Sequence, residues 1–187
     1  IVKNRSNAQN WFIYHEGIGA TKVIYLDLTN AQQTLTQGWN DTAPTSSVVS
    51  LGTEAGTNQS GANMIAYCFA EKKGYSKFSS YVGNGSSDGP FVYTGFRPAW
   101  VLQKNIGATQ GWQLQDNKRL GYNPDNYLLQ PHTSQAESAL QRVDLLSNGF
   151  KVRTTDAGQN SSGTTYIYMA FAESPFVNSN GVPTNAR

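Results

Sequence analysis

Apolar residues fall in short runs separated by clusters of Gly, Asn, Asp, Ser and Pro. The runs are "WFIYH" (11–15), "VIYLDL" (23–28), "SVVSL" (47–51), "MIAYCFA" (64–70), "FVYT" (91–94), "AWVLQK" (99–104), "WQLQ" (112–115), "NYLLQ" (126–130), "GFKVR" (149–153) and "TYIYMAFA" (165–172). Runs of this length, rich in β-branched and aromatic residues and bounded by turn formers, predict strands. Their spacing predicts a sandwich or jelly roll rather than βαβ units. "SQAESALQR" (134–142) is the one segment that could be a short helix. Its counterpart around "QTLTQGWN" has no helical pattern, so a loop is expected.

In the last run Tyr166, Tyr168, Ala170 and Ala172 alternate with Thr165, Ile167, Met169 and Phe171. Both sets are mostly apolar, which predicts a central strand covered on both faces. "GFKVRTTDAGQNSSGTTYIYMAFA" reads as strand, polar connection, strand, the layout of a hairpin with a long loop.

The polar connection occurs twice. "TEAGTNQSGANMIAYCFAE" (53–71) and "TDAGQNSSGTTYIYMAFAE" (155–173) are identical at ten of 19 positions, at an offset of 102. Upstream, Lys3-Asn4 precedes Trp11 as Lys104-Asn105 precedes Trp112, at an offset of 101. Two anchors in one register indicate an internal duplication. The units read as 1–71, an aromatic connection of strands at 72–94, and 95–187. The second copy is led in by "GFRPAWV" (95–101); the matching lead-in to the first copy is absent, so the chain is read as a piece of something longer. Cys68 takes the place of Ala170 and is expected to be a small buried residue on a central strand. Trp11 and Trp112 lead equivalent strands and are expected in the core. The fold expected is all-β: two tandem, internally duplicated antiparallel β-sandwich units, jelly-roll-like and packed together.

Composition agrees with this and narrows the function. Aromatic residues make up 12% of the chain and charged residues only 14%, the reverse of a disordered sequence. The net charge of +2 is scattered, so no basic surface for nucleic acid or anionic membrane stands out. No apolar run is long enough to span a bilayer as a helix. The single cysteine makes neither an internal disulfide nor a zinc pattern.

Catalytic groupings are sparse. His15 in "YHEG" has no nucleophile setting beside it and reads as an exposed strand-end residue; His132 sits in a loop without a partner. Several carboxylates are present, but none forms a marked pair. Glu54 with Asn58, and Asp156 with Asn160, could offer oxygens to calcium, yet one carboxylate per loop is poor for that ion and ordinary for a tight turn. No metal, cofactor or catalytic residue is expected. Trp39, Asn40 and Asp41 lie in the polar loop "TQGWNDTAP", and Tyr122, Asn123, Asp125 and Tyr127 cluster in "GYNPDNY". An exposed aromatic beside Asn and Asp can stack on a sugar face while its neighbours bond the hydroxyls, so these seven residues are the candidate ligand-binding set.

The phrases "VKNRSNAQNWFIYH", "WNDTAPTSSVVSLGT", "GYSKFSSYVGNGSSDGPFVYTGFRPAWV", "LSNGFKVRTTD" and "TYIYMAFAESPF" cover most of the chain. With them it resembles a duplicated β domain of structural and tail-fibre-like proteins of tailed bacteriophages, especially those of marine bacteria and cyanobacteria. The resemblance implies a non-enzymatic virion protein: a C-terminal β module of a tail fibre or similar appendage, on the particle surface. It implies other virion proteins as partners, a homo-oligomer with a trimer favoured, and contact with a host surface glycan or receptor. Nucleic acid and membrane insertion are not expected. A capsid-surface decoration or spike, and a polysaccharide depolymerase, are the alternatives.

Overall fold

The structure, a computed structural model, describes residues 1–119, 123, 127–140, 142–178, 180 and 182. Among them are thirteen strands: β1 (Val2–Asn4), β2 (Phe12–Ile13), β3 (Lys22–Tyr25), β4 (Gln33–Thr34), β5 (Met64–Ala66), β6 (Ser76–Val82), β7 (Phe91–Tyr93), β8 (Pro98–Asn105), β9 (Gln113–Asp116), β10 (Leu128–Leu129), β11 (Val143–Leu146), β12 (Gly149–Val152) and β13 (Thr165–Ala172). Two single-turn helices, α1 (Thr36–Trp39) and α2 (Ala55–Asn58), and a 3₁₀ turn at Glu16–Ile18 interrupt them. The strands form three antiparallel sheets, in the orders β4-β3-β2-β1-β5, β10-β9-β8-β13-β6 and β11-β12-β7.

The second sheet is the middle layer, because alternation along β8 and β13 supplies apolar side chains to both faces. On one face Val101, Tyr166, Tyr168 and Ala170 meet Val92, Val143, Leu145, Phe150 and Val152 of the third sheet. On the other, Leu102, Leu114 and Ile167 meet Ile13 and Ile24 of the first. Each fully buried aliphatic of this kind contributes about 1.5–3 kcal/mol of transfer free energy. The outer face of the first sheet is closed by Trp39, packed with Val2, Phe12 and Val23. The all-β, antiparallel sandwich character expected from the pattern is therefore present, in three layers. Residues around Ser138 form an extended bridge to Leu128 rather than a helix.

Several local expectations are corrected. Gly149–Val152 and Thr165–Ala172 are not a hairpin: β12 pairs with β11 and β7, β13 with β6 and β8, and the polar connection crosses between layers. "SVVSL" forms no strand, and Val48 and Val49 stay exposed. The strand expected over 64–70 stops at Ala66, leaving Cys68 exposed beyond its end. Trp11 is only half-buried, stacked on Tyr67 at 6.3 Å, whereas Trp112 is in the core. His15 is buried, 9% exposed, because the 3₁₀ turn folds over it.

The geometry recurs at the sequence offset. Val2, Lys3 and Asn4 pair with Ala66, Ile65 and Met64, as Gln103, Lys104 and Asn105 pair with Tyr168, Ile167 and Tyr166. Val2 faces Phe12 as Gln103 faces Gln113.

Candidate functional site

The repeated polar phrase builds the same clasp in both places. The Glu54 carboxylate accepts from the Gly56 N–H, and Asp156 Oδ1 from the Gly158 N–H at 2.8 Å. The Asn58 and Asn160 amides then close a helical turn on the carbonyls of Glu54 and Asp156, each at 2.8 Å. Asn58 Nδ2 donates to the Gly52 carbonyl at 2.8 Å, and Asn160 Nδ2 to that of Thr154 at 2.7 Å. A second asparagine ties this turn to the sheet. Asn4 Oδ1 accepts from Ser6 and Asn7 while its Nδ2 reaches the Ala55 carbonyl at 3.1 Å. Asn105 Oδ1 accepts from Gly107 and Ala108 while its Nδ2 reaches Ala157 at 2.9 Å. The adjoining lysines match as well: Lys3 Nζ donates to the Gln9 carbonyl and Lys104 Nζ to that of Gln110. These polar groups serve loop closure by bonding backbone, while the Asp156 carboxylate also pairs with Arg142 at 2.7 Å and Asn4, Asn105 and Asn160 also bond the side chains of Gln59, Tyr166 and Asn84. Among the described residues no group of three or more His, Cys, Asp or Glu could hold a metal ion.

The histidines are spent in the same way. His15 Nδ1 accepts from the Gly17 N–H at 3.0 Å, which leaves Nε2–H to donate to the Tyr168 carbonyl at 3.2 Å. Burial lowers its pKa, against smaller raising effects of the Tyr168 bond and Glu16. His132 Nδ1 accepts from the Trp112 N–H at 3.2 Å. Burial lowers its pKa too, helped by the nearby Lys104. Lys104 is wholly buried, its Nζ also donating to Thr29 O at 2.9 Å, and desolvation brings its pKa down to about 8. Tyr168 is pushed up to about 12 by burial.

The candidate ligand residues divide. Trp39 is 2% exposed: its ring meets Tyr14 edge-on at 6.0 Å, and its Nε1–H donates to the Lys22 carbonyl at 3.0 Å. It is a core residue and cannot stack on a sugar, which corrects the reading of its loop as open. The loop is a helical turn, and burying Trp39 on the first sheet is what orders it. Asn40 and Asp41 are exposed and left-handed, at φ 51° and 47°, where they end α1. Asn123 is bonded twice to Leu145, Nδ2 to its carbonyl at 2.7 Å and Oδ1 from its amide at 2.8 Å, so it anchors its loop to β11. Tyr127 is half-buried just before β10. Tyr122 and Asp125 lie outside the described residues.

A different surface is open and apolar. Cys68, Phe69, Ala70, Tyr75, Ser76 and Phe171 line a groove of about 540 Å³. Phe171 is its centre, with ring contacts to Phe69 at 6.1 Å, Tyr75 at 6.0 Å, Phe78 at 6.0 Å and Trp100 at 5.6 Å. Phe69 is 51% exposed. Sequence reasoning missed this groove because it carried the strand through Cys68 and Phe69.

No curated protein and no solved structure matches this chain. A family model described as a domain of unknown function, DUF7483, matches residues 1–175, and the chain therefore belongs to the DUF7483 family.

Proposed function

We propose that the chain is a non-enzymatic structural and binding module made of two copies of one β unit, and that it serves at the surface of a tailed-bacteriophage particle. In this reading it sits in a tail fibre or similar appendage, as a homo-oligomer with a trimer favoured, and contacts a host surface glycan or receptor.

One observation carries the non-enzymatic part. The residues that looked most like a repeated site, Glu54/Asp156, Asn58/Asn160 and Asn4/Asn105, each use polar atoms to close loops onto strands, and the Asp156 carboxylate is further held by Arg142. Both histidines are likewise engaged with backbone. Placement in a virion is supported by the resemblance of the quoted phrases. The binding part is supported by the open aromatic groove around Phe69 and Phe171, an exposed apolar patch of the kind that marks contact sites.

The test is retention of the purified chain on host cells and on a glycan array, with Phe69→Ser as the comparison. Retention by the parent chain and its loss in the variant are expected. No retention by either overturns host contact. Antibody labelling of intact particles on the capsid rather than the tail overturns the appendage, and shortening of host exopolysaccharide on incubation overturns the non-enzymatic assignment.

A further inference from the structure

We propose that the free edge of β5 is a docking site for one extended strand with the character of Ser76–Val82, supplied by a further unit of this same fold. The proposal rests on the recurrence of geometry at the sequence offset and not on the virion reading.

β5 holds β1 in the register with which β13 holds β8. On its other side β13 pairs with seven residues of β6, from Thr165 opposite Val82 to Phe171 opposite Ser76. β5 instead ends its sheet, and among the described residues no strand pairs with its outer side. The Arg5 amide donates to the Asn63 carbonyl and the Tyr67 amide to that of Ile1, both at 2.8 Å. Residues 63, 65 and 67 thus turn their backbone toward β1, and Met64, Ala66 and Cys68 turn theirs outward. Such a row of outward-facing donors and acceptors is a template for strand addition.

The side chains mark the same gap. Against β6, Tyr166, Tyr168 and Ala170 are at most 2% exposed. Their counterparts are half-buried Met64 and exposed Ala66 and Cys68. Phe150, 0% exposed, packs on Tyr81 of β6 at 6.0 Å and on Tyr168 at 5.3 Å; its counterpart Val48 is 58% exposed. The apolar surface left open therefore falls where a strand of the β6 type and its neighbours close the other half. The register follows: the occupant's equivalents of Tyr81, Ser79 and Lys77 lie opposite Met64, Ala66 and Cys68. Small Ala66 and Cys68 leave open to the incoming strand the space that Tyr168 fills in the closed half.

The experiment adds the synthetic peptide Gly74–Pro90 to the intact chain and reads backbone amide exchange by mass spectrometry. Saturable binding with slowed exchange at residues 64–68 is expected, and a peptide carrying Tyr81→Pro loses it. In the chain, Ala66→Pro removes an outward N–H without touching the Val2 pairing, so it abolishes binding while the melting temperature holds. Absence of binding overturns the proposal. Protection confined to 165–171, which means displacement of β6, overturns it as well. So does self-association of the chain alone that protects 64–68 with no added protection at 76–82, since the occupant is then a second β5.

Discussion

Asn58 and Asn160 occupy one position of one motif in two surroundings, so substituting each to alanine makes an internal control. Both cap the same turn through Nδ2, at 2.8 and 2.7 Å. Asn58 is exposed and that bond is the side chain's contribution. Asn160 is 0% exposed and does more: its Nδ2 also donates to Ser86 O at 2.7 Å and to Asn84 Oδ1 at 3.1 Å, and its Oδ1 accepts from the Asn84 N–H at 2.8 Å. The extra three bonds hold the 83–89 connection between β6 and β7 onto the clasp. A hydrogen bond contributes about 0.5–1.5 kcal/mol net, and a buried group left unpaired costs about 1–3 kcal/mol. Asn160→Ala strands the Ser86 and Thr154 carbonyls and the Asn84 amide together, so a loss of about 4 kcal/mol is expected. Asn58→Ala, at an exposed position with water to replace the bond, should cost about 1 kcal/mol. Urea titration followed by tryptophan fluorescence measures both, with the slope checked for constancy. The expected gap lowers the melting temperature of the Asn160 variant by roughly 6–12 °C more than its twin, at about 2–4 °C per kcal/mol for a chain of this size. Equal losses within about 1 kcal/mol would refute the reasoning, because they would mean that the bracket to residues 84 and 86 contributes nothing.

Gly56→Ala places a Cβ 1.9 Å from Phe12 Cε2, against a ring held in the core, and should cost about 3 kcal/mol. Its twin Gly158→Ala meets Asp156 Oδ1 and Gln113 Nε2 at 2.9 Å, ends of side chains that can give way, so thermal melts should show the smaller loss there. His15 has a folded pKa below its unfolded value of about 6.5, so the unfolded chain takes up the proton first. Stability from this group is complete above about pH 6.5 and is lost as pH falls toward the folded pKa; His15→Gln should flatten that part of a melting-temperature profile from pH 7.5 to 5. Lys104, brought down to about 8, acts in the same sense at the alkaline end: between pH 8 and the usual lysine value the unfolded chain binds the extra proton, so its contribution rises with pH. Lys104→Met should be less stable at neutral pH, with the Thr29 and Gln110 carbonyls left unpaired, and the gap to the parent chain should widen as the titration runs from pH 8 to 10.

Periodicity made some of this legible and not the rest. Strand β13 was readable because its alternation is long enough to state both faces: Ile167 and Met169 go to one core and Tyr166, Tyr168 and Ala170 to the other. The likeness of Lys3-Asn4 to Lys104-Asn105 was readable because both pairs are bonded to backbone in like geometry. The hairpin was misread because strand, polar loop, strand is all that a hairpin and a crossover between layers have in common locally. Membership of a sheet is decided by partners distant in sequence, here β7 for β12 and β6 for β13. Trp39 was misread for a related reason: its flanks are polar, and only the outer face of the first sheet, built from Val2, Phe12 and Val23, gives it a place to bury.

The paired segments 47–50 and 149–152 press the point furthest. "SVVS" has stronger β-branched character than "GFKV", yet only the second is a strand. Gly149, Phe150 and Lys151 stand opposite Tyr93, Val92 and Phe91, and Gly149 permits that approach because a Cβ there would lie 2.1 Å from the Val92 carbonyl oxygen. Among the described residues no strand pairs with 47–50, so Val48 and Val49 have β propensity without a partner strand. Cys68 is exposed beyond the end of β5, whereas its counterpart Ala170 is sealed by β6 and the third sheet. One circumstance, the lack of a pairing strand among the described residues, thus goes with the lost strand, the exposed thiol and the open edge of β5. It also gives the order in which they should respond: a strand docked on β5 should protect Cys68 from alkylation, and an alkylation rate unchanged on saturation with the Gly74–Pro90 peptide would separate the exposure of Cys68 from that edge.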